Sequence, residues 1–204
     1  MRWVIVGAVA LGLILGLTQV IIPNIAENKI QDRLTQDGGS ADVHVSAIPA
    51  VRLLFGDGDK LTVDARRIDI PVTEAGKVSF KDLDKFDEVD ITLLDSNIGP
   101  VNASRIELNR GEGDDVYTFT FRGNTSPAQL ADFVLDALPA GLRSIAEAIG
   151  GRAGGGSIPV RMDATLRSEN GQARLVRGSG DIAGLPLGPF ALGVASAVIN
   201  RLTG

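Results

Sequence analysis

The sequence predicts an α+β fold, in which a curved, mostly antiparallel sheet packs with amphipathic helices and follows an N-terminal transmembrane helix. Three observations predict it. The chain begins with a long uncharged run, its middle carries repeated strand-like alternation of apolar and polar residues, and helical apolar stripes flank those strands. Because strands and helices come in runs and do not alternate regularly, the order favours α+β over a parallel α/β sheet.

Residues 1–22 are predicted to form a transmembrane anchor. Trp3–Ile22 carries no charge, and at about 1.5 Å of rise per residue such a helix covers the ~30 Å core of a bilayer. A cleaved signal segment stays open as the alternative, although its apolar run would be roughly 7–15 residues and would end in small residues. Arg2 precedes the run, which favours a cytoplasmic N-terminus. Residues 23–204 are therefore expected to be one extracytoplasmic domain of a single-pass cell-membrane protein, or a secreted domain after cleavage.

The composition excludes several classes of function. The chain has 25 acidic and 20 basic residues, for a net charge of −5, and nucleic-acid binding needs clustered lysines and arginines. Cysteine is absent, which excludes disulfides, thiolate metal sites and cysteine nucleophiles. We therefore expect no nucleic-acid partner, and we expect any lipid contact to rest mainly on apolar burial.

The first half of the domain is predicted to be a helix followed by strands. In order these are helix Asn24–Gln36, strand Asp42–Ile48, apolar connector Pro49–Phe55, and strands Lys60–Ile70, Val89–Leu94, Ala103–Arg110 and Val116–Arg122. The helix has an apolar stripe and ends at Gly38-Gly39. The buried parity changes within Lys60–Ile70, which predicts a β-bulge near Arg66 and Arg67.

The second half is predicted to be a helix pair, a hairpin and a final helix. Ser126 and Gln129 form a capping box at the start of the pair, with Pro127 at the first helical position. Strands Ile158–Leu166 and Gln172–Ile182 are joined by a two-residue turn of the Asn-Gly type. The last helix begins at Pro189.

Catalytic residues are not indicated, and we expect the protein not to be an enzyme. His44 is the one histidine, and its parity places it on the polar face of a strand. Gly178-Ser179-Gly180 lacks the strand–elbow–helix context of a hydrolase nucleophile. Acidic clusters near Asp57, Asp82–Asp90 and Asp114 match no calcium loop, so solvated turns are favoured over a weak calcium site. We expect no metal and no cofactor.

An apolar slot is the strongest functional candidate. A curved sheet with one apolar face, covered by amphipathic helices, either leaves a slot between them or encloses a filled core, and periodicity does not distinguish the two. The residues predicted to line a lipid-binding slot are Tyr117, Phe119, Phe121, Leu130, Phe133, Val134, Leu138, Val160 and Met162.

Several short segments carry a family resemblance. They are Ile25–Leu34 followed by Ala41–Pro49, then Val51–Phe55 with Gly56, the strand Leu61–Ile70, and the late step Leu185-Pro186-Leu187. In this layout the chain resembles the LmeA-like family of bacterial envelope phospholipid-binding proteins. The resemblance implies phospholipid binding outside the cytoplasmic membrane, in an elongated body like the tubular lipid-binding folds. It transfers no catalytic residues.

We therefore expect a membrane-anchored phospholipid-binding protein of the bacterial cell envelope, with lipid transfer, storage and sensing left open. Its expected partners are phospholipid and the cytoplasmic membrane; protein partners stay unknown from the sequence. The alternative is a non-catalytic envelope scaffold or interaction protein that has the same fold and a filled core. The arginines considered as phosphate contacts, although a solvated position is favoured for each, are Arg66, Arg67, Arg122 and Arg161.

Overall fold

The computed structural model describes residues 19, 21–70, 79–126, 129, 156–182 and 185–186. One nine-stranded sheet dominates this part, and helix α1 (residues 21–35) packs against it through Ile30 and Leu34. The transmembrane helix expected from Trp3–Ile22 lies almost wholly outside these residues. Within them, no helix combines the length and the apolarity needed to cross a membrane.

The sheet is mixed but mostly antiparallel. Its strands are β1 Ser40–Ser46, β2 Gly58–Arg66, β3 Asp69–Ile70, β4 Phe86–Ile98, β5 Val101–Arg110, β6 Val116–Thr125, β7 Ile158–Glu169, β8 Gln172–Ile182 and β9 Leu185–Pro186. The spatial order is β1-β2-β4-β5-β6-β7-β8-β9, with β3 paired to β4. Only the pairings of β2 and β3 with β4 are parallel among the described strands. The prediction of an α+β chain with a mostly antiparallel sheet is confirmed.

Most local predictions for the first half are confirmed, and one connector differs. The predicted helix and most strands form close to their predicted bounds, whereas β4 extends well beyond the predicted Val89–Leu94 on both sides and the connector contains a 3₁₀ helix at Ala50–Phe55. Gly56 ends it in the left-handed region, at φ 82°, and its N–H donates to the carbonyl of Leu53. In the second half, the capping box is confirmed by reciprocal hydrogen bonds between Ser126 and Gln129. The rest of that helix pair and the helix from Pro189 lie outside the described residues.

The regular strand alternation is interrupted at the same level in neighbouring strands, from the end of β2 to β5. Arg67, between β2 and β3, takes φ 54°, and the buried parity changes there, as predicted for Arg66 and Arg67. Asp95 lies opposite in β4 with φ 49°, and Ser104 is the unpaired residue where the β5–β6 register shifts. Because these strands change phase together, their apolar side chains stay on one face of the sheet on both sides of the irregularity.

That face carries the core. Alternate residues of β1, β2 and β4–β7 are buried in one continuous apolar cluster, which also takes in Leu34 of α1. Strand β8 departs from the pattern, since Leu175 and Val176 are exposed and its pairing with β7 shifts register beside them. The apolar layer therefore extends from β1 to β7, and its described margin at the β1 edge is α1.

Candidate functional site

A cleft of about 300 Å³ lies between α1 and the ends of β1, β2 and β4. We call it the α1 cleft. Its apolar floor is formed by Ile30, Val45, Leu53, Leu61, Leu83 and Phe86. Its charged rim is formed by Lys29, Arg33, Asp82 and Lys85.

The floor is the outer margin of the apolar cluster of the sheet. Val45 and Leu61 are direct cross-strand partners and are buried. Ile30, Leu53 and Phe86 are half-buried and pack against the same cluster. An apolar group bound in the cleft would therefore contact side chains at the margin of the hydrophobic core.

The rim is positive in a chain whose net charge is negative. Lys29 and Arg33 are one helical turn apart on α1, and like charges at this spacing repel each other. Lys85 pairs with Asp82 at 3.2 Å, whereas the ion pairs found among the described residues include neither Lys29 nor Arg33. An anion bound between the two helix cations would relieve their repulsion and accept charge-assisted hydrogen bonds.

Side-chain hydrogen bonds fix α1 against the sheet. The backbone N–H of Val45, at the end of β1, donates to Glu27 Oε1 at 2.9 Å. The backbone N–H of Ala50 donates to Gln19 Oε1 at 3.0 Å. The first contact ties α1 to the end of β1, and the second ties Gln19, which precedes α1, to the 3₁₀ helix that carries Leu53.

Some of the predicted lipid-binding residues come together on one face. Tyr117, Phe119 and Phe121 of β6 are buried beside Val160 and Met162 of β7, and Phe121 and Met162 are direct cross-strand partners. We call these five residues the aromatic face. They belong to the same apolar cluster as the cleft floor. The other predicted residues, Leu130, Phe133, Val134 and Leu138, lie outside the described residues.

A polar group, the Asp84 cluster, closes one end of the aromatic face. It consists of Asp84, Arg110, Tyr117 and Ser168. The Tyr117 hydroxyl donates to Asp84 Oδ1 at 2.8 Å, and Arg110 Nη1 donates to the same oxygen at 3.1 Å. Ser168 Oγ donates to Asp84 Oδ2.

Stacking and burial fix Tyr117 within this cluster. Its ring stacks on Phe80 with centroids 4.1 Å apart, and the Arg110 guanidinium lies 4.9 Å from the Tyr117 centroid. Burial, followed by the hydrogen bond to Asp84, raises the pKa of the Tyr117 hydroxyl well above its usual range. The Tyr117 hydroxyl therefore stays protonated and donates a hydrogen bond to Asp84.

The cations of the cleft rim were not among the residues that the sequence indicated. Arg122, which was considered there, pairs with both carboxylate oxygens of Asp163, at 2.9 and 3.0 Å. The signal for Lys29 and Arg33 was present, because both flank the apolar stripe of α1 near Ile30. For Lys85 no local signal exists, since a long-range fold contact brings it to the cleft.

The described residues offer little for metal or nucleophilic chemistry. No group of three or more histidine, aspartate or glutamate side chains within them is arranged to hold a metal ion. His44 is exposed, as predicted, and lies 3.6 Å from Asp42. The arrangement is suited to binding an anionic amphiphile.

Comparison with protein-family models, with curated proteins and with solved structures gives no match for this chain.

Proposed function

We propose that this chain is a membrane-anchored, extracytoplasmic phospholipid-binding protein of the bacterial cell envelope. One observation carries the proposal: the α1 cleft joins a positive rim to an apolar floor that is continuous with the core of the sheet. A phospholipid has the same two parts in the same order, an anionic phosphate and then acyl chains.

The phosphate binds at the cleft rim. Lys29 and Arg33 supply the donors, and a guanidinium can hold two phosphate oxygens at once. Lys85 adds a third cation, partly neutralised by Asp82. The charge attraction is local, so the net negative charge of the chain does not oppose it at short range.

The acyl chains lie against apolar side chains beyond the floor. Ligand pockets commonly measure about 300–1,000 Å³, so the α1 cleft, at about 300 Å³, is matched to one end of a phospholipid and not to the whole molecule. We propose that the chains then continue along the aromatic face, in a slot whose further lining is predicted to be Leu130, Phe133, Val134 and Leu138. Each methylene removed from water contributes ~0.8 kcal/mol.

The N-terminal segment keeps the domain at the membrane that contains its phospholipid ligand. Residues 1–22, as a transmembrane anchor, would hold the cleft close to the bilayer and raise its effective concentration there. The resemblance to the LmeA-like phospholipid-binding family, and the curved sheet of tubular lipid-binding folds that it implies, agree with this role. We propose no catalytic residue and no cofactor.

Native mass spectrometry with lipid extraction tests this function. The full chain, purified from a bacterial host in mild detergent, should carry near-stoichiometric phospholipid after release from the micelle. A mass without lipid, unchanged after incubation with bacterial envelope phospholipids, would contradict the proposal.

The second candidate is a non-catalytic envelope scaffold with a filled core. The Asp84 cluster favours it, because Tyr117 is already fully engaged by Phe80, Asp84 and Arg110 and cannot turn toward a ligand. The two candidates differ in whether the aromatic face beyond Tyr117 contacts lipid. Phe119 is the residue at which that difference can be measured.

A further inference from the structure

Four exposed apolar side chains form a tip between β1 and β2. The exposed fraction is 78% for Ile48, 42% for Val51, 67% for Leu54 and 75% for Phe55. Single exposed apolar residues are ordinary in soluble proteins, but a contiguous group indicates a binding surface. We call these four residues the apolar tip.

The tip is held in a defined conformation. Asp59 Oδ2 accepts a hydrogen bond from the Ile48 backbone N–H at 2.7 Å, and the same carboxylate pairs with Arg52. The 3₁₀ helix turns Ala50 into the core and Leu53 onto the cleft floor. Its remaining apolar side chains, Val51, Leu54 and Phe55, are thereby directed outward.

One residue of the uncharged N-terminal run contacts the segment that carries the tip. Gln19 lies within Trp3–Ile22, and its side chain accepts the hydrogen bond of the Ala50 N–H, at the centre of the tip segment. Ile21 and Ile25 at the start of α1 are exposed as well. A bilayer that holds the uncharged run would therefore meet the apolar tip at the same level.

We propose that the apolar tip inserts into the bilayer interface beside the N-terminal segment. An apolar protein surface at such an interface is buried to roughly 5–10 Å, at the boundary of headgroups and acyl chains. The cleft cations Lys29 and Arg33, next to the tip, then lie at the level of the lipid phosphates. The inference rests on the anchoring part of the proposed function but is independent of the lipid-binding slot.

The chain contains no cysteine, so single cysteines can report on depth. The full chain, as Phe55→Cys, Val51→Cys or the control Val176→Cys, is labelled with an environment-sensitive fluorophore and reconstituted into vesicles. The vesicles contain equal amounts of phosphatidylethanolamine and phosphatidylglycerol, with or without a lipid whose acyl chain carries a quencher. Val176 is a suitable control because it is an exposed apolar residue of β8, near the other edge of the sheet.

The fluorophore at positions 55 and 51 should emit at shorter wavelength than the fluorophore at position 176. The quencher-bearing lipid should also quench it several-fold more than it quenches the fluorophore at position 176. Equal quenching at all three positions would overturn the inference. Self-quenching between copies at position 55, without quenching by lipid, would also overturn it, because a second copy would then cover the tip. Failure of the chain to float with vesicles would reject the anchor and the tip together. A lipid-quenched tip in a chain that retains no phospholipid would reject only the slot.

Discussion

The α1 cleft and the Asp84 cluster lie at the same end of the sheet and use positive charge in opposite ways. In the cluster, the buried guanidinium of Arg110 pairs with Asp84 and donates to the carbonyls of Leu83 and Phe86, while its Nε has no partner among the described residues. In the cleft, Lys29 and Arg33 face an apolar floor with no carboxylate partner found among the described residues. Removing the partner of a buried cation destabilises the fold, whereas a cation left open beside an apolar surface is available to an external anion.

Removing the cluster's carboxylate should have the largest effect on stability. Asp84→Ala leaves Arg110 buried without its anion and leaves the Tyr117 hydroxyl unpaired, so unfolding should become easier by about 3–5 kcal/mol. Asp87→Ala, at an exposed position of β4, is the control and should change the free energy of unfolding by less than about 0.5 kcal/mol. Urea denaturation measures both. Equal urea midpoints for the two variants would show that the cluster does not stabilise the fold.

Alkaline pH should weaken the same cluster through Tyr117, the one tyrosine of the chain. An unfolded tyrosine ionises near pH ~10, and the pKa of Tyr117 is raised in the folded chain. Below pH ~10 both states keep the proton. Above it only the unfolded chain releases the proton, so stability should fall by up to about 1.4 kcal/mol per pH unit.

Tyr117→Phe provides the control for that pH effect. The variant should lose the extra alkaline slope in its urea midpoint, because no phenol remains to ionise. Other groups also titrate in this range, so the difference between the two chains is the informative quantity. An identical slope in both would mean that Tyr117 ionises as freely in the folded protein as in the unfolded one.

The cleft cations should affect lipid and leave stability almost unchanged. Lys29→Gln with Arg33→Gln should lower retained phospholipid about tenfold, equivalent to ~1.4 kcal/mol of binding, since the phosphate loses two charged donors. The control pair, Arg174→Gln with Arg177→Gln, removes the same charge from exposed positions of β8. If the two pairs reduce lipid equally, net charge and not the cleft governs binding.

The smallest effect is expected from Phe119→Leu, which separates a slot from a filled core. If Phe119 lines a slot, the variant should retain less lipid than the wild type, with little change in melting temperature. In a filled core the same change leaves a void and costs about 1 kcal/mol of stability, with no effect on lipid. Thermal melting and lipid quantification on the same sample distinguish these outcomes.

The sequence predicted the strands because one buried face imposes a period of two residues, and it predicted the change of phase at Arg67 for the same reason. It did not predict the parallel pairing of β2 with β4, because spatial neighbours are not encoded in local periodicity. The connector Pro49–Phe55 was predicted as apolar, yet nothing local indicated that Leu53 turns inward while Phe55 turns out.

The candidate site was predictable only in part. The aromatic face follows from alternation in β6 and β7, so its residues could be found from the sequence. The α1 cleft combines a helix with the segment before β4, and Arg110 positions that segment through Asp84. Such long-range contacts decide which cations meet, and no spacing in the sequence reports them.

Occluding the cleft tests the central claim most directly. Ala26 lines the cleft, and Asn28 is exposed on the same helix. Native mass spectrometry of the full chain should show phospholipid bound to the wild type and to Asn28→Phe but absent from Ala26→Phe, because only the latter ring occupies the cleft. Full phospholipid retention by Ala26→Phe would contradict binding at this site.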